Sequence, residues 1–397
     1  MEAANTSILI INSGSSSIKF SLYKITDLTK HLLHGELETN GTKNATLHFT
    51  NIISNQKNSI DIKSAGYDNS INFLITWLEK QDEFVSIVAV GHRIVHGMKH
   101  TEPEKITPEL LDELKKISAF DPEHLPQEIK LIELFQKHYP AIQQIACFDT
   151  SFHTSIAMVA KLLPIPRKYF SMGIQRYGFH GLSYSYLMEE LDKLTGNKVG
   201  KEKIILAHLG NGASIAAIKN GKSIDTSMSF TPTAGIPMST RTGDLDPGVA
   251  WYLMHQEKMS AKQFNYLINH ESGLLGISET NSDMRELLKL QAIDTRAADA
   301  IDIFCYQTKK YIGAYAAALG GLNRLVFSGG IGENAPEIRE RICSSLKFLG
   351  VELDKKRNGK NKEIISSDNS SVTVHVIKTN EELMIAKLVC DVLKIEH

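Results

Sequence analysis

Short runs of consecutive apolar residues alternate along the chain with stretches of amphipathic period. Residues 8–11, 87–90, 204–207 and 325–327 are apolar and free of charge, which predicts short buried strands. Thr107-Pro108 offers a capping hydroxyl followed by proline at the first helical position. Leu110, Leu111, Leu114 and Ile117 then fall on one face of the helix this opens. Asp246-Pro247 reads the same way, as cap and first helical residue. Strand-like and helix-like segments keep alternating to the end of the chain, which predicts an α/β architecture.

Two of the predicted strands sit in matching surroundings. Residues 8–11 run through Asn12-Ser13-Gly14-Ser15-Ser16-Ser17 into a return strand that opens on Ser17-Ile18. Residues 204–207 run through His208-Leu209-Gly210-Asn211-Gly212-Ala213 into a return strand that opens on Ser214-Ile215 and ends at the turn Asn220-Gly221. The two lie about half the chain apart, a period that suits a duplicated domain rather than a solenoid. Two unrelated hairpins would read alike, so the repeat by itself leaves both explanations open. A boundary near residue 150 fits it, with the two halves flanking a cleft.

Composition narrows the class. A chain of 397 residues is long enough for two or three domains, and 42% hydrophobic with 22% charged residues marks it as globular. Lys plus Arg number 44 and Asp plus Glu 45, so the basic surplus of a nucleic-acid binder is missing. Cys147, Cys305, Cys343 and Cys390 are far apart, without CxxC or zinc spacing, and are expected as reduced thiols. The N-terminus has no basic stretch ahead of its apolar run, and residues 311–323 fall short of a membrane span. A cytoplasmic protein with no membrane or nucleic-acid partner is expected.

Loops of small residues carry the candidate chemistry. The turns at Asn12 to Ser17 and at His208 to Gly212 can bring backbone N–H groups close to an anion. Ser328-Gly329-Gly330-Ile331-Gly332-Glu333-Asn334 reads as a third, a Gly-rich turn between a strand and a helix starting at Ala335-Pro336. Neither a Walker motif nor a GxGxxG fingerprint is present. Lys19 follows the first loop and could face its phosphate or solvent. Arg93, in GHRIVHG, and Arg241, in STRTGD, suit a carboxylate or phosphate, or equally a set of backbone carbonyls. His180 sits between an aromatic and a glycine. Asp149 follows an apolar strand, a favoured catalytic or metal position that also suits a cap, and Glu381 suits a helix N-terminus.

Taken in order, NSGSSSIK (12–19), GHRIVHG (91–97), FDTSFH (148–153), RYGFHG (176–181), HLGNGAS (208–214), DTSMSFTP (225–232), TRTGDLDP (240–247), SGLLGIS (272–278), SDMR (282–285), GGIGEN (329–334) and TNEEL (379–383) resemble the acetate kinase (acetokinase) family from about residue 8 to residue 390. The resemblance implies two ribonuclease H-like domains with a duplicated βββαβαβα-type core, of the acetate and sugar kinase, heat-shock chaperone and actin superfamily. Residues 1–150 with 384–397 would form the first, carrying the phosphate/metal loop and Arg93. Residues 151–383 would form the second, carrying the nucleotide site. It further implies reversible, Mg²⁺-dependent phosphoryl transfer from ATP to acetate, with Mn²⁺ as a possible substitute, in a homodimer.

By the same resemblance, Arg93 holds the acyl carboxylate, and Val95, His124, Phe179 and Pro232 complete the acyl site. Arg241 and His180 stabilise the transferring group, and Asp149 is the family's catalytic acid, expected here to orient an arginine or a metal-bound water. Asn12 and Glu381 belong to the Mg²⁺ site. Lys19, His208, Leu209, Gly210, Asn211 and Gly212 contact nucleotide phosphates. Asp283, Met284, Arg285, Gly330, Ile331, Gly332, Glu333 and Asn334 contact the nucleoside end.

Four positions depart from the family pattern. Glu123 stands where a Leu of the acyl pocket is usual, Tyr184 where a His is usual, and Ser239 and Glu279 where Gly is common. A buried, unpaired Glu123 beside a carboxylate substrate would be costly. Propionate or another short-chain carboxylate is therefore the alternative substrate, and a non-kinase ATP-binding scaffold or sensor the more distant alternative.

Overall fold

The computed structural model describes residues 6–14, 17–40, 44–63, 66–196 and 199–395. Ser15 and Ser16 of the first small-residue loop lie outside the described residues. The chain divides into two compact units, Met1–Ser151 with Asn380–His397, and Phe152–Thr379. Residues 380–383, expected from the sequence in the second domain, thus group with the first. The helix they begin, Glu381–Leu393, packs on strands of the first sheet through buried Ile385, Ala386 and Val389.

The first unit holds β1 (Ser7–Ser13), β2 (Ser17–Lys24), β3 (Asp27–Asn40), β4 (Asn44–Asn51), β5 (Gln56–Lys63), β6 (Ile87–Ile94), β7 (Glu104–Lys105) and β8 (Gln143–Phe148). They form one sheet in the order β5-β4-β3-β2-β1-β6-β8-β7. The second unit holds β9 (Lys203–Leu209), β10 (Ala213–Lys219), β11 (Lys222–Thr226), β12 (Arg324–Ser328) and β13 (Thr373–Val376), in the order β11-β10-β9-β12-β13. Without its edge strands β4, β5 and β7, the first sheet reads β3-β2-β1-β6-β8. That is the second sheet's order, with the same antiparallel hairpin followed by parallel crossovers. Both units are mixed α/β layers.

The uncharged runs take the central strands because those strands are covered on both faces. All seven residues of β1 are buried. Leu9 and Ile11 join Phe20, Leu74, Leu131 and Phe135 in the core of the first unit. In the second unit, Tyr184, Leu187 and Leu191 of helix Gly181–Thr195 pack on Leu206, Ala216, Ile218 and Val326. Each such aliphatic side chain contributes about 1.5–3 kcal/mol by leaving water. The predicted caps form. Thr107 accepts the Leu110 N–H at 3.2 Å, and Asp246 accepts the Gly248 N–H at 2.7 Å. The four cysteines are free and buried.

One predicted loop is not a loop. Gly329–Asn334, read as a turn ahead of a helix, is itself a short helix, followed by a second helix, Pro336–Cys343. The Glu333 carboxylate folds back to accept the Gly329 N–H at 2.9 Å and the Thr379 N–H at 3.1 Å, which closes the turn. Gly329 is in the left-handed region (φ 75°), and a Cβ there would stand 2.7 Å from the Leu209 carbonyl oxygen. Only glycine lets this helix start so close to the end of β9.

Candidate functional site

In the first unit the strand ends gather charge. Arg93, at the end of β6, donates from Nη2 to Asp149 Oδ2 at 2.8 Å and from Nη1 to the Ser13 carbonyl at 3.2 Å. Asp149 is fully buried just past β8, its own N–H donating to the Ile94 carbonyl at 2.9 Å. Burial works to lower the Arg93 pKa, but Asp149 and Glu381 outweigh it and hold the guanidinium charged. Among the described residues its buried Nε–H meets no partner. Such an orphan donor is costly unless something else satisfies it.

Asn12 ends β1 opposite Lys19 on β2. Its Nδ2 donates at 3.0 Å to Glu381 and at 3.0 Å to Glu382, so one amide holds two carboxylates. Loss of hydration around the Lys19 ammonium works to lower its pKa, but Glu382, Glu381 and Glu36 more than offset this and raise it. Val95 follows β6, and its N–H donates to both oxygens of Glu128, at 3.2 and 3.1 Å. Burial pushes that carboxyl up to about 8, against the pull of Arg93 and the Val95 N–H. His124 precedes helix Leu125–His138, its Nδ1 lying 2.9 Å from Asp121 Oδ1.

The second unit builds a different surface. His180 precedes helix Gly181–Thr195 in the left-handed region (φ 59°), which costs a non-glycine residue about 1–3 kcal/mol and is typical of functional positions. Its ring stacks on His208 with centroids 4.2 Å apart. Both rings are held through Nδ1 by a serine: Ser214 Oγ is 2.9 Å from His180, and Ser183 Oγ is 2.8 Å from His208. A Cβ on Gly212 would lie 3.1 Å from His180 Nε2 and 3.9 Å from Arg241 Nη1, so both groups converge where that side chain is missing. Arg241 Nη1 also donates to the Pro232 carbonyl at 3.2 Å, and Phe179, next to His180, is buried.

Leu209 and Gly210 meet the 329–334 helix: a Cβ on Gly210 would stand 3.8 Å from the Gly330 N. Asn211 is exposed and anchored through its carbonyl by the Ser239 N–H at 3.2 Å. Asn334 Nδ2 donates to the Gly330 carbonyl at 3.0 Å, Gly332 is buried and Ile331 half-buried. Asp283 caps helix Met284–Leu290 by accepting the Arg285 N–H at 2.8 Å, and pairs with the exposed Arg285 side chain at 2.5 Å. Met284 between them turns into the core.

The profile of the Acetokinase family matches residues 7–387. The chain belongs to the acetokinase family. It is 40% identical over 383 residues to the acetate kinase of Rickettsia akari, covering 96% of this chain and 97% of that one. The solved acetate kinase of Porphyromonas gingivalis superposes with a TM-score of 0.86 at 37% identity, over 98% of this chain and 100% of its own. A propionate kinase from Francisella tularensis superposes with a TM-score of 0.90 at 37% identity, over 96% and 98%. The fold is the two-domain one of these kinases.

Against the acetokinase pattern, the four departures resolve as follows. Glu123 is half-buried and has interaction partners, so it is not a buried, unpaired acid. The fully buried carboxylate of that segment is Glu128, which the sequence did not distinguish from any other glutamate in a helix. Tyr184 is fully buried, with its hydroxyl 2.5 Å from Ser214 Oγ. Ser239 Oγ donates to Asn211 Oδ1 at 3.3 Å. Glu279 takes the left-handed position (φ 57°) after helix Gly273–Ser278 and pairs with Arg296 at 2.8 Å. Glu382, Ser183 and Ser214 were also missed as site residues. Each lies inside or beside a motif already singled out, so adjacency was the available signal.

Proposed function

We propose that this protein transfers the γ-phosphoryl group of ATP reversibly to acetate by direct in-line attack, giving acetyl phosphate and ADP. A carboxylate oxygen forms the new P–O bond as the bond to the β–γ bridging oxygen breaks, and ADP leaves with that electron pair. Acetate, with a pKa of roughly 4–5, is ionised near neutrality and needs no general base. The remaining problem is an anion attacking an anion, so the protein supplies alignment and positive charge.

The observation that carries this reading is Arg93, half-buried and charged, with a buried Nε–H that meets no partner among the described residues. A small carboxylate would satisfy that donor. Asp149 then orients Arg93 rather than moving a proton, and Val95, His124, Phe179 and Pro232 shape the acyl site. Arg241 and His180, converging over Gly212, serve the oxygens of the transferring group. Lys19 and His208 to Gly212 contact the nucleotide's phosphates, with Asp283 to Arg285 and Gly330 to Asn334 at its nucleoside end. The hard oxygen donors around Asn12 suit Mg²⁺, or Mn²⁺ in its place, held through Glu381 and Glu382 and solvent. When bound, that ion supplies charge neutralisation to the phosphates.

A homodimer fits the exposed aromatic residues Trp251, Tyr252 and Tyr266 on helices Pro247–Gln256 and Ala261–His270. Among the described residues no helix is long and apolar enough to cross a membrane, and the four free cysteines suit the cytoplasm. The equal identity to an acetate kinase and a propionate kinase makes propionate the second reading.

The test is hydroxylamine trapping of acyl phosphate with acetate, propionate and butyrate side by side. Acetate should give the highest kcat/KM. No hydroxamate from any acid, with folded protein that binds ATP, would refute the reading. Arg241→Ala should lower kcat by about a hundredfold or more. Arg93→Ala would also strand the buried Asp149 carboxylate, so Arg93→Lys is the cleaner partner, expected to raise the KM for acetate by losing the planar fork.

A further inference from the structure

Two side chains of one helical turn reach both stacked imidazoles. Ser183 and Tyr184 lie in the first turn of helix Gly181–Thr195, which His180 precedes. Ser183 Oγ holds His208 and is itself 2.8 Å from Thr379 Oγ1. The Tyr184 phenol meets the His180 ring through Ser214 on β10, whose hydroxyl is 2.5 Å from the phenol and 2.9 Å from the imidazole. Ser214 is fully buried, so bulk water does not compete for its hydroxyl.

We infer that Tyr184 is a positioning residue for His180, acting through Ser214 to fix which imidazole nitrogen carries the proton. This rests on the role given to His180 above. A phenol is the more acidic of the two hydroxyls and the better donor. With Tyr184 donating to Ser214, the serine directs its single hydrogen to His180 Nδ1. The neutral ring must then carry its proton on Nε2, the nitrogen that faces the Gly212 gap beside Arg241. In that state His180 offers a donor to the transferring group's oxygens without needing to be charged, which suits a ring stacked on a second imidazole. A histidine orientation set by the hydrogen bond at its other nitrogen is a general device.

Tyr184 also packs in the core, with ring centroids 5.7 Å from Phe152 and 5.6 Å from His153, so a purely structural role has to be separated. Tyr184→Phe keeps the ring and removes the hydroxyl. ¹⁵N-histidine NMR, with His180 assigned through His180→Gln, reads the tautomer directly. The parental protein should show the Nε2–H form, and Tyr184→Phe a shift toward Nδ1–H. With it, kcat should fall about tenfold while KM for acetate and ATP stays within about twofold. Ser214→Ala should reproduce both changes, and the double variant should be no worse than Ser214→Ala. If Tyr184→Phe folds poorly, Ser214→Ala alone decides. A parental Nδ1–H form, or an unchanged tautomer in both variants, would overturn the relay. Parental turnover in His180→Gln would instead overturn the role of His180, a result the tautomer measurement does not depend on.

Discussion

Gly212 shows how much of this site depends on a single missing side chain. In Gly212→Ala the new methyl would press on the end of the His180 ring, at 3.1 Å from Nε2 and 3.4 Å from Cε1. A side chain can give way by a few tenths of an ångström, so the fold should survive with a small change in melting temperature. The His180–Arg241 geometry should not survive, and kcat is expected to fall at least tenfold or so, since misplacement of this size is costly in catalysis. An unchanged kcat would mean that the two groups do not act together over that gap. Glu128 makes a different prediction, in pH. Its folded-state pKa of about 8 lies above its ordinary 4.5, so within that window the folded protein holds a proton that the unfolded chain has released. Its contribution to stability is fully present below about 4.5 and is lost as pH rises through about 8. Glu128→Gln should therefore flatten the fall in melting temperature across that range. Parallel curves for the two proteins would show that Glu128 does not titrate there. GHRIVHG marked Arg93 in the sequence, but the pattern around His124 drew attention to Glu123 and not to the buried Glu128, because burial depends on where the helix lies and not on the residue.

At the scale of elements, the caps and strands were legible and the Gly-rich segments less so. Thr107-Pro108 and Asp246-Pro247 act within a few residues of themselves, so local pattern suffices for them. GGIGEN reads as a turn by composition, yet forms a helix because Glu333 satisfies its first N–H and Leu209 packs against Gly332. Those partners lie outside the local reading frame, and tertiary contact overrides propensity. Glu279 offers a test of element-level strain. It occupies a left-handed C-cap that glycine adopts without penalty. Its compensation is an ion pair to a half-exposed Arg296, which in water is weak. Glu279→Gly should stabilise the protein by up to about 1 kcal/mol by removing the Cβ clash. Denaturant titration measures it, and a lower midpoint would assign the Glu279–Arg296 pair more weight than the strain.

At the scale of the molecule, each unit is stabilised by its own core, and the surface around Trp251 is left over. That indole is 61% exposed, with Tyr252 at 55% and Tyr266 at 54%. Solvent exposure of several large aromatic rings on adjacent helices is costly for a monomer unless a partner covers them. Sedimentation velocity should give a dimer for the parental chain, and Trp251→Glu with Tyr266→Glu should give monomers. A parental monomer at micromolar concentration would leave those rings without this explanation.

What the sequence determined by itself follows from interactions that are short along the chain or repeated across it. Uncharged runs became central strands, capping dipeptides became helix starts, and the matched hairpins became two sheets of one strand order. The motif series singled out Arg93, Arg241, His180 and the segments at 208–212 and 329–334, the second of which folds as a short helix. Only the tertiary structure decided which groups meet. Asn12 takes Glu382 as well as Glu381 because the last helix lands on the end of β1. Arg93 takes Asp149 because β6 and β8 pair in parallel and end side by side. Tyr184 takes Ser214 because a helix face lies over β10. Such pairings depend on register and packing between segments far apart in the chain. The energy of a buried charge or hydroxyl is set almost wholly by those neighbours.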